Sequence, residues 1–472
     1  MSKEVIFKTF RTYGHPYVYD RHTNSLVMIS EDEVNELLQV EEGKLLPEQS
    51  KVVKNYQDYG LFMPNIVDKI EHSGTAIIEQ YLKTRMRQLT LQVTQQCNLR
   101  CEYCVYSGIY EHNRTHSNKR MNLETAQKAV DFFLARNSEL AEVVIGFYGG
   151  EPLLEFDLIK QCVEYAKSQV EGKKINFNMT TNGTLLSGNL VDYLVENDFY
   201  LNISLDGSKE EHDVSRKFVN GEGSFDMIMN NIKRINERYP EYIKNISFMT
   251  TINPHVDLSC VLEYFSSEEI FNDKNIIYNT MVENSSNQDI TYDKKYYMVR
   301  NYEYIKMLFS LIGKLDRKHV SPLVMGSREM VKYKQERLRK HTKMVPIEHH
   351  NGPCLPGVQR LFVRVDGALF PCERVNEAID YFKIGTLEEG IDENQIKKIM
   401  NIGKVTENEC KNCWNLKQCT LCAGQIEFET EPSRKIKLNV CPQSCNNILF
   451  ELHELCVLNE FGLDTEEIMR VV

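Results

Sequence analysis

The sequence predicts an α/β protein built on a parallel sheet, with a smaller unit before it and a cysteine-rich unit after it. Three observations carry this. Between about residues 85 and 315, strand-like and helix-like runs alternate six times, the pattern of a parallel sheet covered by helices. Before that stretch, three β-type runs are followed by two short helical ones. After residue 350 the chain holds most of its 14 cysteines. A length of 472 residues suits two or three domains, and the divisions read here are 1–80, 85–315, a connecting segment 316–350, and 351–472.

In the first unit the β-type runs are 5–12, 17–20 and 26–29. Ser30 with Glu33 three residues on reads as a capping box opening a helix over 31–39. A second helix is expected over 48–59, stopped by Gly60 with Pro64 beyond. Strands followed by short helices make a winged-helix-like unit. In the middle unit the expected strands are 89–94, 143–148, 175–179, 201–204, 246–252 and 276–280. The helices between them are 123–136, 157–170, 188–196, 225–238 and 258–265. Ala126, Ala129, Val130, Phe133 and Leu134 fall at helical spacing behind Asn122 as a cap.

Composition narrows the function classes. Hydrophobic content of 42% with 26% charged residues is that of an ordinary globular protein. A net charge of −11 argues against sequence-independent binding of nucleic acid. No apolar signal region or bilayer-length run is visible, so a cytoplasmic protein without a membrane partner is expected. In that compartment the cysteines read as metal ligands rather than as a disulfide framework.

The chemistry centres on Cys97-x3-Cys101-x2-Cys104, directly after the first parallel strand, with Tyr103 before the last cysteine. Three thiolates hold three irons of a [4Fe–4S] cube and leave the fourth without a protein ligand. Electron-transfer clusters use full cysteine ligation, so this one binds something; zinc would want a fourth ligand nearby. After the second strand comes Gly149-Gly150-Glu151-Pro152, where glycines let backbone approach a ligand and a carboxylate can accept from an ammonium. The third strand ends in Thr180-Thr181-Asn182-Gly183 and the fourth in Ser204-Leu205-Asp206-Gly207, both turn chemistry. Arg216 follows, with a guanidinium fork that suits a carboxylate.

Together these motifs resemble the radical S-adenosylmethionine (SAM) enzymes. The resemblance implies a partial (β/α)6, TIM-like barrel with its site at the C-terminal strand ends. It implies that the unique iron chelates SAM and that reductive cleavage yields a 5′-deoxyadenosyl radical. Gly149, Gly150 and Glu151 would then meet the SAM amino group. Asn182, Ser204 and Asp206 would line its pocket beside Tyr103, and Arg216 would pair with its carboxylate. The N-terminal unit resembles the peptide-recognition domain of maturases of ribosomally made peptides, which pairs a strand edge with the substrate's leader; a packing extension is the alternative.

In the connecting region, 302–315 has helical spacing, and Lys332, Lys334, Arg337, Arg339, Lys340 and Lys343 read as a solvated helix face rather than a patch for an acidic peptide. His349-His350 reads as surface loop. Beyond it stand Cys354, a hairpin turning at Asp366-Gly367 and returning to Cys372, then Cys410-x2-Cys413-x5-Cys419-x2-Cys422, and Cys441-x3-Cys445. This resembles the SPASM domain, which carries two auxiliary [4Fe–4S] clusters. The resemblance implies Cys354, Cys372 and Cys422 at the first cluster, and Cys410, Cys413, Cys419 and Cys441 at the second. The chain departs from the pattern in the spacing before Cys422, in lacking a cysteine soon after Cys354, and in adding Cys445. Either Cys445 completes the first cluster or one iron there is open to a substrate thiolate. Zinc ribbons are the alternative. Cys162, Cys260 and Cys456 read as core residues.

The whole resembles maturases that form thioether crosslinks (sactipeptide or ranthipeptide linkages) in cysteine-rich precursor peptides. That implies SAM, three [4Fe–4S] clusters, a precursor peptide bound through its leader, and a reducing partner such as flavodoxin or ferredoxin. The rival is an anaerobic sulfatase-maturating, formylglycine-forming enzyme, where an aspartate base follows the cysteine matched here by Cys372. Glu373 stands at that place and is the candidate catalytic base. Carbon–carbon crosslinking and epimerisation use the same architecture. An iron–sulfur electron carrier would want four cysteines in the first motif.

Overall fold

A computed structural model of the chain describes residues 4–170, 172–271, 276–280, 290–339, 343–463 and 469–470. Strands β1 (Phe7–Arg11), β2 (Pro16–Asp20) and β3 (Ser25–Met28) form an antiparallel meander. Strand β2 is buried on both faces. Tyr17 and Tyr19 join the main core, while Val18 points into a small core with Val34, Leu37 and Phe62. The Ser30–Glu33 capping box is formed and starts the helix Glu31–Glu41. The next helix, Lys51–Gln57, is shorter than expected because Ser50 caps it: its Oγ accepts from the Val53 amide at 3.0 Å. A two-residue strand, β4 (Lys69–Ile70), leads on.

All six expected parallel strands are present: β5 (Gln88–Thr94), β6 (Glu142–Gly149), β7 (Lys174–Thr181), β8 (Tyr200–Ser204), β9 (Ile246–Ile252) and β10 (Ile276–Thr280). They pair in sequence order, which is the sheet of a TIM-like partial barrel. Helices Leu123–Leu134, Phe156–Ser168, Gly188–Glu196, Phe225–Arg238 and Leu258–Ser267 bury their apolar stripes against it. The sequence reading places no helix over Lys209–Ser215, where the structure has a short one; KEEHDVS is about two mostly polar turns, with no apolar period to reveal it.

The C-terminal unit shares this sheet. After β11 (Ile347–Glu348), which pairs with β4, strand β12 (Leu361–Val363) lies parallel to β5. Strands β13 (Ala368–Phe370), β14 (Gly385–Thr386) and β15 (Gly390–Ile391) extend it antiparallel to ten strands. The hairpin β12–β13 therefore delivers Cys372 beside the strand that leads to Cys97. At the end, β16 (Met469–Arg470) pairs parallel with β3.

Several expectations are corrected. The helix expected over 302–315 runs instead over Lys294–Leu311, capped by Asp293. The basic stretch is not a solvated face: Lys334 and Arg337 are buried and meet Glu454 and Glu451 of the long helix Arg434–Glu460. Lys332 is exposed beside Glu329; the Arg339 side chain and Lys340 lie outside the described residues. His349 and His350 are buried, with ring centroids 4.2 Å apart, because residues 347–350 pack between β4 and the cysteine-rich loops. Cys162 and Cys456 are core residues, but Cys260 is exposed on its helix. Among the described residues no helix is long and apolar enough to cross a membrane.

Candidate active site and two further cysteine sites

The end of β6 is zipped to the cysteine loop. Gly150 N–H donates to Thr94 O at 3.0 Å and Glu151 N–H to Gln96 O at 2.9 Å. A Cβ on Gly149 would lie 2.2 Å from Thr94 O, and one on Gly150 2.2 Å from Gln96 O. The two glycines are thus required by contact between two backbones.

Each thiol of the first motif receives a donor. Leu99 N–H points at Cys97 Sγ (3.4 Å), as does Asn182 Nδ2 (3.8 Å); Arg216 Nη1 reaches Cys101 Sγ at 3.8 Å, and the Tyr106 amide bonds Cys104. Burial pushes the Cys97 thiol up to about 11 and that of Cys101 to about 12, so thiolates form there when a metal displaces the protons. Arg216 is held by Asp206, Nε to Oδ2 at 2.8 Å, with its guanidinium 5.3 Å from the centre of the Tyr103 ring. The Tyr103 hydroxyl donates to the same carboxylate oxygen, and the Thr251 amide occupies the other. Burial works against the charge on Arg216, but Asp206, with Tyr103 and Cys101, more than restores it.

Glu151 is fully buried. It accepts from Thr181 Oγ1 and the Asn182 amide at 2.7 Å each, and from the Leu153 amide at 3.1 Å. Burial still lifts it to about 7. Ser204 is buried at the end of β8. The structure therefore gathers Cys97, Cys101, Cys104, Tyr103, Asn182, Asp206 and Arg216 into one network, with Gly149, Gly150 and Glu151 bracing it.

A cavity of about 760 Å³ lies between the inner face of the sheet and the C-terminal unit. Its barrel wall carries the polar side chains of Gln88, Thr90, Asn178, Thr180 and Asn202 beside Phe147, Tyr148 and Met249. Opposite stand Arg114, Arg360, Glu373, Arg374 and Glu377. Glu377 is buried, takes two bonds from Gln92 Nε2 (2.7 and 3.0 Å) and pairs with Arg114, whose guanidinium lies 3.5 Å from the Tyr106 ring centre. Arg114 Nη2 is buried without a partner. Arg360 bonds one oxygen of Glu373, and the other, Oε2, is buried and unbonded. The sequence reading missed Arg114, Glu377 and the barrel wall. Polar residues alternating within strands expected to be buried on both faces were the available signal.

The C-terminal cysteines form two groups. A Cβ on Gly352 would lie 1.9 Å from Leu421 O, so the loop before Cys354 packs directly on the one before Cys422. Loss of water and the charges of Cys372 and Cys422 push Cys354 up to about 11. The second group lines a separate cavity of about 130 Å³: Cys410, Cys413, Cys419, Cys441 and Cys445. Cys413 and Cys445 are neighbours in it, and Asn415 Nδ2 donates to Cys445 Sγ at 3.8 Å. Cys445 thus stands with the second group, leaving three cysteines in the first.

Residues 91–264 match the model of the Radical SAM superfamily. Over that segment the fold and the three-cysteine loop are those of a radical SAM domain, and the chain is an enzyme. The chain is 28% identical over 368 residues to a cysteine-type anaerobic sulfatase-maturating enzyme of Clostridium novyi (strain NT), covering 74% of this chain and 90% of that protein. It is 26% identical over 202 residues to the radical SAM cyclopropyl synthase TigE of Paramaledivibacter caminithermalis, covering 40% of this chain and 41% of that one. The solved structure of native anSMEcpe with bound AdoMet has the same fold, with a TM-score of 0.59 at 20% identity over 79% of this chain and 99% of that chain.

Proposed function

We propose that this enzyme oxidises a cysteine-containing peptide in the cavity between barrel and C-terminal unit, joining the cysteine sulfur to a peptide carbon. The carrying observation is the first C-terminal group: Cys354, Cys372 and Cys422 stand without a fourth thiol, while Cys445 joins the other group. Three thiols where a four-iron cube takes four ligands leave a position for the substrate's sulfur. Bound SAM and its cluster supply a 5′-deoxyadenosyl radical, and clusters on the two C-terminal groups supply an electron acceptor.

The balance is simple: one hydrogen atom leaves a peptide carbon, one proton leaves the thiol, one electron leaves the peptide, and a C–S bond forms. Glu373 takes the thiol proton through its unbonded Oε2, with Arg360 fixing the other oxygen. Arg114 and Glu377 hold the loop after Cys104 against the strand that carries the cavity wall. The N-terminal meander is read as the leader-recognition unit. Because β3 pairs with β16, a leader strand would displace β16 or pair at β1.

Formylglycine formation is the second reading, favoured by the sulfatase-maturating relative. Mass spectrometry separates the two after anaerobic incubation with SAM, a strong reductant and cysteine peptides. A thioether loses two hydrogens, keeps its sulfur and no longer reacts with iodoacetamide. Formylglycine loses sulfur and gains an aldehyde. Carbon–carbon crosslinks and epimers leave the thiol open to alkylation, and either result would overturn the thioether reading.

A further inference from the structure

Six lysines and arginines among the described residues are buried: Arg21, Arg216, Lys334, Arg337, Lys417 and Lys437. Four meet a carboxylate: Asp206, Glu454, Glu451 and Glu348 respectively for Arg216, Lys334, Arg337 and Lys417. Arg21 and Lys437 do not; Lys437 lines the five-cysteine cavity, and Arg21 stands behind it on the Cys413 carbonyl, with Asn65 Oδ1 as a further acceptor. Lys437, 1% exposed, donates from Nζ to Thr406 Oγ1 at 2.7 Å and to Cys410 Sγ at 3.5 Å. Arg21, 2% exposed, donates to the carbonyls of Lys411 (2.7 Å) and Cys413 (3.3 Å).

A further group faces the same cavity. His350 lines it with both ring nitrogens buried and unbonded. Its neighbour His349 is fully used, with Nδ1 donating to His350 O and Nε2 accepting from the Gly403 amide, each at 2.9 Å. A buried cation without an anion is costly and is ordinarily paired. Glu409 also lines the cavity, with one oxygen on Arg434 and the other unbonded, but it forms no ion pair with Lys437 or Arg21; the five thiols thus face cations and an idle imidazole whose charge this one carboxylate does not take up.

We propose that Lys437 and Arg21 are the fixed counter-charges of an anionic iron–sulfur cluster in this cavity, and that Lys437 sets its reduction potential through a direct N–H···S bond. This rests on reading the cavity as a cluster site under the proposed function. A cluster on four thiolates is anionic and becomes more so when reduced. A cation bonded to one ligand sulfur therefore favours the reduced form and raises the potential. Lys437 is a positioning and tuning residue, and His350 is a further donor to the same cluster.

The test is a potentiometric titration of the reconstituted full-length protein followed by EPR, with iron and sulfide counted. The second-site signal is the one lost when Cys410, Cys413 and Cys419 are all replaced by alanine, which leaves two thiols there. In Lys437→Met it should persist at unchanged iron content, with at least a tenfold lower reduced-to-oxidised ratio at fixed potential, a shift of about 59 mV for one electron. Lys437→Arg should restore most of the shift. Loss of the cluster in Lys437→Met and Lys437→Gln but not in Lys437→Arg would equally support the role of charge. An unchanged midpoint in Lys437→Met, or loss of the cluster in all three variants, would overturn it. Unchanged iron in the Cys410→Ala/Cys413→Ala/Cys419→Ala variant would instead remove the cluster reading itself, and this inference with it.

Discussion

The two C-terminal cysteine groups differ in what each lacks. The first has three thiols, and beside it the cavity-lining charges Arg360 and Glu373 are already paired. The second has five thiols in a small separate cavity, with two buried cations that have no carboxylate. A site short of a ligand but supplied with balanced charge is built to take a ligand from outside. A site with spare thiols and unbalanced cations is built to hold negative charge. Under the proposed function, one fold divides substrate capture from electron storage.

The sharpest way to break this comparison is to remove one thiol from each group. Cys372→Ala should lower peptide product by about a thousandfold or more, the scale of losing a group on which transition-state binding depends, while 5′-deoxyadenosine is still released. Cys445→Ala leaves four thiols and should cost less than roughly tenfold. Product by mass spectrometry and deoxyadenosine by chromatography read both. Equal losses would erase the distinction. Glu373→Gln comes next, with product down about 10²–10⁴-fold, the range for a lost general base, and SAM cleavage without peptide unchanged.

A smaller effect sharpens the structural half. Gly352→Ala places a methyl 1.9 Å from Leu421 O and should cost about 1–3 kcal/mol of stability. It should lower the melting temperature and lose iron at the first site before the second. The smallest effect concerns the SAM site. Burial raises Glu151 to about 7, so below that pH its carboxyl is neutral and cannot pair with the SAM ammonium. SAM binding to iron-loaded protein should tighten as pH rises from 6 to 8, by up to about tenfold per unit. In Glu151→Gln the profile should be flat.

Much of this was legible in the sequence, and the exceptions share a cause. The barrel strands and helices declare themselves through local period, and Cys97, Cys101 and Cys104 through local spacing. Arg114–Glu377, Lys334–Glu454 and Arg337–Glu451 join residues more than a hundred positions apart, and no local pattern signals such pairs. His349-His350 looked like loop because burial there comes from β4 and distant cysteine loops. The placement of Cys445 turns on one helix. Cys441 and Cys445 are one turn apart on Arg434–Glu460, hence on one face. Pro442 lies between them and marks that stretch, in sequence, as a break.

The open position of the first group is tested most directly by EPR on protein carrying Cys97→Ala, Cys101→Ala and Cys104→Ala, which leaves the two C-terminal groups. It is titrated with N-acetylcysteine amide and, in parallel, N-acetylserine amide. The predicted result is a saturable change in one cluster's signal with the thiol alone, abolished by Cys372→Ala and untouched by Cys445→Ala. No change with the thiol, or a change confined to the signal that replacing Cys410, Cys413 and Cys419 by alanine removes, would contradict it.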